Sequence, residues 1–325
     1  MRRRTKWIVG ALLGLPLLAA GAGAVYQTVA TSRDLAATPP PGQLVNIGSH
    51  RLHIWCMGSG SPTVILESGL GGSAYSWAAV QPRVAEFTRV CSYDRAGLGY
   101  SDPGPTPRTS GRIAEELGRL LDRARIEGPV ILAAASFGGF SARILASTHP
   151  GRVAGLVLID ASHEDQQRRL AAEGLLPPVP PTLGFVVRAA PFGFLRLRNQ
   201  TLGVNPEAAD PSVQQFVRAT VHRASRYQAL HSETMAWEES AGQVGVSRRR
   251  LGIPVLVLSA ASWPEDGRRI HADLQRDQVT LSSRGCQRIA EDAGHDIAGD
   301  APDLVVQAVR TVTDAVKAGG GNLLC

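Results

Sequence analysis

Ser136 stands in "VILAAASFGGFSARILASTHP" (Val130 to Pro150), where a run of small and apolar residues passes into a helical pattern with no residue to spare for a loop. A hydroxyl at such a junction sits on a tight, strained bend. The small Ala134 and Gly138, two positions to either side, let strand and helix pack closely around it. That setting is a nucleophile elbow: Ser136 Oγ projects at the carboxyl edge of a sheet, and the amides that open the next helix face a developing negative charge. A serine hydroxyl is a weak nucleophile near neutral pH, so the chemistry needs an imidazole to take its proton and later return it to the leaving group. Of the eight histidines, His295 is the candidate: "AEDAGHDIAGDAPDLVVQAV" sets it in a short glycine-containing loop before the last helix.

These residues need a scaffold. The runs "RLHIWCMG", "TVILESG", "RVCSYDRAG", "PVILAAAS", "VAGLVLIDAS" and "IPVLVLSAA" read as strands, and their short continuous apolar stretches are those of strands covered on both faces. Between them lie helical patterns. "TSGRIAEELGRLLDRAR" puts Ile113, Leu117, Leu120 and Leu121 on one face, with Thr109 or Ser110 as N-cap. The last pattern, "APDLVVQAVRTVTDAVKAG", starts after a capping Asp300 with Pro302 in its first turn. The alternation predicts an α/β fold with a mostly parallel central sheet and helices on both faces. Residues 163–250 break it: this proline-punctuated stretch contains helical pieces and no convincing strand, and it is far longer than a crossover needs. It reads as a helical cap inserted between core segments 43–162 and 251–318.

From about Gln43 to Lys317 the chain resembles the α/β-hydrolase superfamily. It departs from the family pattern in Ala134, where G-x-S-x-G has its first glycine, and in Ala135, often histidine in the family. "ESGLGGSAYSW" is similar to the family's oxyanion loop, with Ser68-Gly69 in place of His-Gly; the match implies an oxyanion hole made by the backbone N–H groups of Leu70 and Phe137. "YDRAGLGYSDPGP" is similar to a loop that marks the fold more than the chemistry. The usual acid positions after "IPVLVLSAA" hold Ser262-Trp263-Pro264, with Glu265 and Asp266 slightly too far along, whereas Asp160 ends "GLVLID" on the preceding strand. Asp160 is the preferred acid and Asp266 the alternative. The family's strand order also makes neighbours of the strands carrying Cys56 and Cys91, which implies a disulfide between them.

The resemblance implies a serine hydrolase that cleaves a carboxylic ester through a Ser136-His295-Asp160 triad and an acyl-enzyme, on a small-molecule acyl substrate and without a cofactor. Serine at the elbow argues against the dehalogenases and epoxide hydrolases of the superfamily, which use a carboxylate there. The competing reading is a member whose site has eroded into a binding protein, supported by Ala134, Ala135 and the missing acid after "VLVLSAA". No cysteine or histidine spacing suits zinc. The net charge of +6 does not indicate nucleic acid, since Arg2, Arg3, Arg4 and Lys6 supply four of those charges.

Those basic residues precede an uncharged stretch, Trp7 to Ser32, that reads as a targeting segment over residues 1–32. Gly14, Pro16 and the Ala22-Gly23-Ala24 site fit a cleaved signal peptide; the length, with Trp7 and Tyr26 near the ends, fits a membrane anchor. Either reading exports the remaining chain. "ATPPPG" belongs to a stiff linker over residues 33–42.

Overall fold

The central strands form because their apolar runs are buried from both sides. In the computed structural model, which describes residues 2–176, 182–202, 204–319, 321 and 323 and leaves the side chains of residues 2–13 and 182 aside, eight strands make one sheet. They are β1 (Gln43–Asn46), β2 (Arg51–Met57), β3 (Val64–Glu67), β4 (Val90–Tyr93), β5 (Val130–Ala135), β6 (Val153–Ile159), β7 (Val255–Ala260) and β8 (Gly285–Ala290). Their order is β1-β2-β4-β3-β5-β6-β7-β8, with β1 and β2 antiparallel at one edge and the ladder from β4 onward parallel.

Successive side chains of β5 serve opposite faces, as the two-residue period of a strand demands. Leu132 and Ala134 pack with Ile113, Leu117 and Phe140, while Ile131 and Ala133 pack with Val305, Val309 and Val312. Thr109 caps the helix Ser110–Arg123 through a bond from the Arg112 amide. The last helix, Pro302–Lys317, instead begins after Ala301, because the Asp300 carboxylate is turned back to accept from the Gly294 amide at 2.9 Å. Asp300 therefore steadies the loop of His295 and does not cap the helix.

After β6 the chain leaves the sheet for a helical cap that runs from Gln166–Ala172 to Trp237–Ser247, with no strand among its described residues. Phe216 of the cap stacks on Tyr75 of the core at 5.2 Å. Cys56 on β2 faces Cys91 on β4, and the two form the disulfide that the strand order implies.

The N-terminal helix spans Arg2–Ala37 and so continues through the first part of the stretch read as linker. Asp34 rewards that continuation by pairing with Arg196 of the cap at 2.5 Å, and Gln27 donates to the His222 carbonyl at 2.7 Å. Gly23 lies against the Phe192 carbonyl with no room for a side chain. Among the described residues no helix is long and apolar enough to cross a membrane. The early part of the targeting segment, through Leu13, lies outside the described side chains.

Candidate active site

Ser136 takes φ of 50°, a left-handed conformation that a non-glycine residue holds only when its surroundings fix it. Here its N–H donates to Ile159 O at 3.1 Å, while its carbonyl accepts from Gly139 and Ser162 at 2.9 and 3.0 Å. Small residues are obligatory around the bend. A Cβ on Gly138 would stand 2.6 Å from Ser68 O, and one on Gly139 would stand 2.6 Å from Ala161 Cβ. Ala134, buried between β3 and β6, shows that a methyl is accommodated at the other position.

The structure brings Ser136, His295 and Asp160 into one line. His295 Nε2 lies 2.9 Å from Ser136 Oγ, and its Nδ1 lies 2.6 Å from Asp160 Oδ2. Asp160 sits just past the end of β6, buried, with φ of 40°. Asp266 is elsewhere, on the exposed first turn of the helix Glu265–Val279. The carboxylate that meets His295 is therefore the one that follows β6 and not Asp266.

Asp160 also has partners that the sequence did not disclose. Its Oδ1 accepts from His271 Nε2 at 2.7 Å and from the Ala260 amide at 3.0 Å, and its Oδ2 accepts from Trp263 Nε1 at 3.3 Å. Burial alone pushes its carboxyl upward, but the bonds from His271 and His295 outweigh that and hold it at about 2. The hydrogen bond to Asp160 in turn raises the His295 imidazole above its ordinary value.

The loop after β3 runs close over the serine: a Cβ on Gly69 would stand 3.2 Å from Ser136 Cβ. Among the described residues the amides of Leu70 and Phe137 donate to no protein acceptor, so both are open to one. A cavity of about 440 Å³ between core and cap is bounded by Gly71, Gly72 and Tyr75 on one side, Val217 and Thr220 on another, and Asp296 beside His295. The arrangement can deprotonate a hydroxyl and receive an anion beside it.

Residues 62–262 match the family model described as the alpha/beta hydrolase fold, and the chain belongs to that family. A relative named "AB hydrolase superfamily protein" from Gibberella zeae is 24% identical over 292 residues, covering 79% of this chain and 87% of the relative. A Hormonema carpetanum protein that bears the name "Probable transporter efuK" is 24% identical over 310 residues, which is 85% of this chain but 43% of the relative. An uncharacterized Schizosaccharomyces pombe protein, 30% identical over 155 residues, is matched over 38% of this chain and 29% of its own length. The chain thus spans less than half the length of those two. Among solved structures, a thermophilic esterase from Thermogutta terrifontis superposes with a TM-score of 0.55 at 22% identity, over 82% of this chain and 94% of that one. An enol-lactonase from Burkholderia xenovorans gives a TM-score of 0.58 at 18% identity, over 82% and 98%. At these identities the likeness is one of fold.

Proposed function

We propose that this chain is an exported serine hydrolase that cleaves a carboxylic ester through an acyl-enzyme on Ser136. The observation that carries the reading is the unbroken hydrogen-bonded line from Ser136 Oγ through His295 to Asp160, beside two unoccupied amides. His295 Nε2 takes the serine proton as Oγ adds to the ester carbonyl. The oxygen that becomes negative accepts from the Leu70 and Phe137 amides, donors already in place before the charge appears. Asp160, ionised, holds the imidazole by its Nδ1–H and favours the imidazolium, which then protonates the departing alcohol. Water, deprotonated by His295, releases the acyl group by the same steps.

Asp160 beside His295 supports this reading over an eroded site, which Ala134, Ala135 and the missing acid after β7 had favoured. The esterase and the enol-lactonase are named for ester chemistry of the same type, which agrees with this assignment. Export is supported by the basic and then uncharged N-terminal sequence, which we read as a signal or anchor, and by the disulfide between Cys56 and Cys91, a bond that persists in oxidising compartments.

The test is hydrolysis of p-nitrophenyl esters of increasing acyl length together with labelling by a fluorophosphonate probe. Labelling should fall on Ser136, and Ser136→Ala should abolish both. Ester cleavage that survives Ser136→Ala would refute the proposal.

A further inference from the structure

Arg95 is completely buried beneath the loop that follows β3, a costly place for a charge unless it is paired. Its Nη1 donates to Glu67 Oε1 at 2.8 Å and to Ser68 O at 2.6 Å; its Nη2 donates to Gly69 O at 2.7 Å. The remaining bonds go to the cap. Nε reaches Glu233 Oε1 at 2.7 Å and Nη2 reaches Glu233 Oε2 at 3.0 Å, a bidentate grip by a residue on the helix Ala224–Met235. Glu233 Oε2 also accepts from the Gly71 amide at 3.0 Å. Leu230, three residues before Glu233, packs on the same loop, its Cδ1 2.7 Å from where a Cβ on Gly71 would stand.

These contacts bracket one peptide unit. A trans peptide is planar, with its C=O and N–H pointing in opposite directions. The Gly69 carbonyl, held by Arg95 and by the Gly72 amide at 3.0 Å, therefore aims the Leu70 N–H the other way. Gly71 is held from the far side by Glu233. The Arg95 guanidinium also lies 6.0 Å from the ring centroid of Phe137, the residue that bears the second open amide.

We infer that Glu233, acting through Arg95, is a positioning residue for the oxyanion donor Leu70, so that the cap sets the alignment of the catalytic loop. The inference rests on the hydrolase reading above. Removing Glu233 frees Gly71 and leaves Arg95 held by Glu67, Ser68 O and Gly69 O alone, which loosens the loop of the donor without touching Ser136 or His295.

The full chain is compared with Glu233→Ala, Glu233→Gln and Arg95→Lys in p-nitrophenyl ester kinetics and in inhibition by a trifluoromethyl ketone, whose adduct carries the oxyanion. Removing an oxyanion donor outright costs about 10²–10³ in kcat. Misaligning one should lower kcat roughly 10- to 100-fold in Glu233→Ala, with KM changed by less than about threefold and inhibitor affinity falling in parallel. Glu233→Gln, which keeps an acceptor for Gly71, should recover most of the loss. Full kcat and inhibitor affinity in Glu233→Ala would overturn the inference. Should that variant fail to fold, Arg95→Lys decides: the three donors of an ammonium cannot replace the five bonds that the guanidinium makes to Glu67, Ser68 O, Gly69 O and Glu233, so unchanged kcat there overturns it equally. A wild type without Ser136-dependent turnover would instead sink the hydrolase reading, and this inference with it.

Discussion

His271 Nε2 lies 2.7 Å from Asp160 Oδ1 while His295 Nδ1 lies 2.6 Å from Asp160 Oδ2, so one buried carboxylate carries an imidazole on each oxygen. Trp263 stacks on His271 at 4.2 Å and keeps that ring in place. Only His295 also reaches the serine. Asp160→Asn should therefore lower kcat by about 10³–10⁴, because the amide can present the wrong group to Nδ1. Asp266→Asn should leave kcat within about twofold, as expected of an exposed surface change. The reverse pattern in p-nitrophenyl ester assays would move the acid to the helix after β7. His271→Phe should fall between the two, since it removes one donor to Asp160 but leaves the line to Ser136.

The pH profile follows from His295. Only the neutral imidazole accepts the serine proton, so kcat/KM should rise with pH through the imidazole's own titration. Its hydrogen bond to Asp160 places that midpoint above the ordinary 6.5. In Asp160→Asn the residual activity should show its midpoint at lower pH. A midpoint that stays put would mean the carboxylate does not set the imidazole's charge.

Stability should fall in acid for a related reason. Asp160 and Glu164 are both held at about 2, Glu164 against its own burial by bonds from Arg143. A depressed carboxyl contributes stability in full above its unfolded value of about 4, and the contribution is lost as pH falls toward the folded value. Urea midpoints should thus decline between about pH 4 and pH 2. Glu164→Gln should flatten part of that decline.

Gly138→Ala tests the elbow. Its Cβ would meet Ser68 O and Glu67 Cγ, both at 2.6 Å, and Glu67 O at 2.9 Å, so backbone as well as side chain would have to shift. Overpacking of this kind costs about 1–3 kcal/mol. Chemical denaturation should show that loss, with fluorophosphonate labelling slowed as the serine is displaced. Unchanged stability and labelling would mean that the bend tolerates a side chain.

The disulfide joins positions 35 residues apart across β2 and β4. A loop of that length corresponds to about 3–4 kcal/mol of stabilisation in the chain-entropy account. The double variant Cys56→Ala, Cys91→Ala should unfold at lower urea with fluorophosphonate labelling of Ser136 unchanged, since both residues lie on β2 and β4, away from the strand β5 that leads into Ser136. Equal midpoints would show the bond to be dispensable.

What could be read from the sequence was local or carried by the superfamily pattern. The elbow announces itself because strand, serine and helix are contiguous, and His295 because a glycine-flanked loop precedes the last helix. Asp160 was already legible at the tip of β6, though its rival Asp266 could be set aside only once His295 had a position. His271 was not legible at all. It lies on an amphipathic helix 111 residues from Asp160 and resembles any other histidine half-facing a core. Glu233 was equally hidden, since its meaning depends on Arg95, 138 residues earlier, and nothing in "SETMAW" advertises a buried charge. Asp300 shows the opposite case, a residue whose local pattern suggested a cap and whose carboxylate found a different amide.

The N-terminal helix is bound to the cap by Gly23, Gln27 and Asp34, and the same cap grips the loop of Leu70 through Glu233. One inserted helical segment is thus tied both to the start of the chain and to the loop that lies over Ser136.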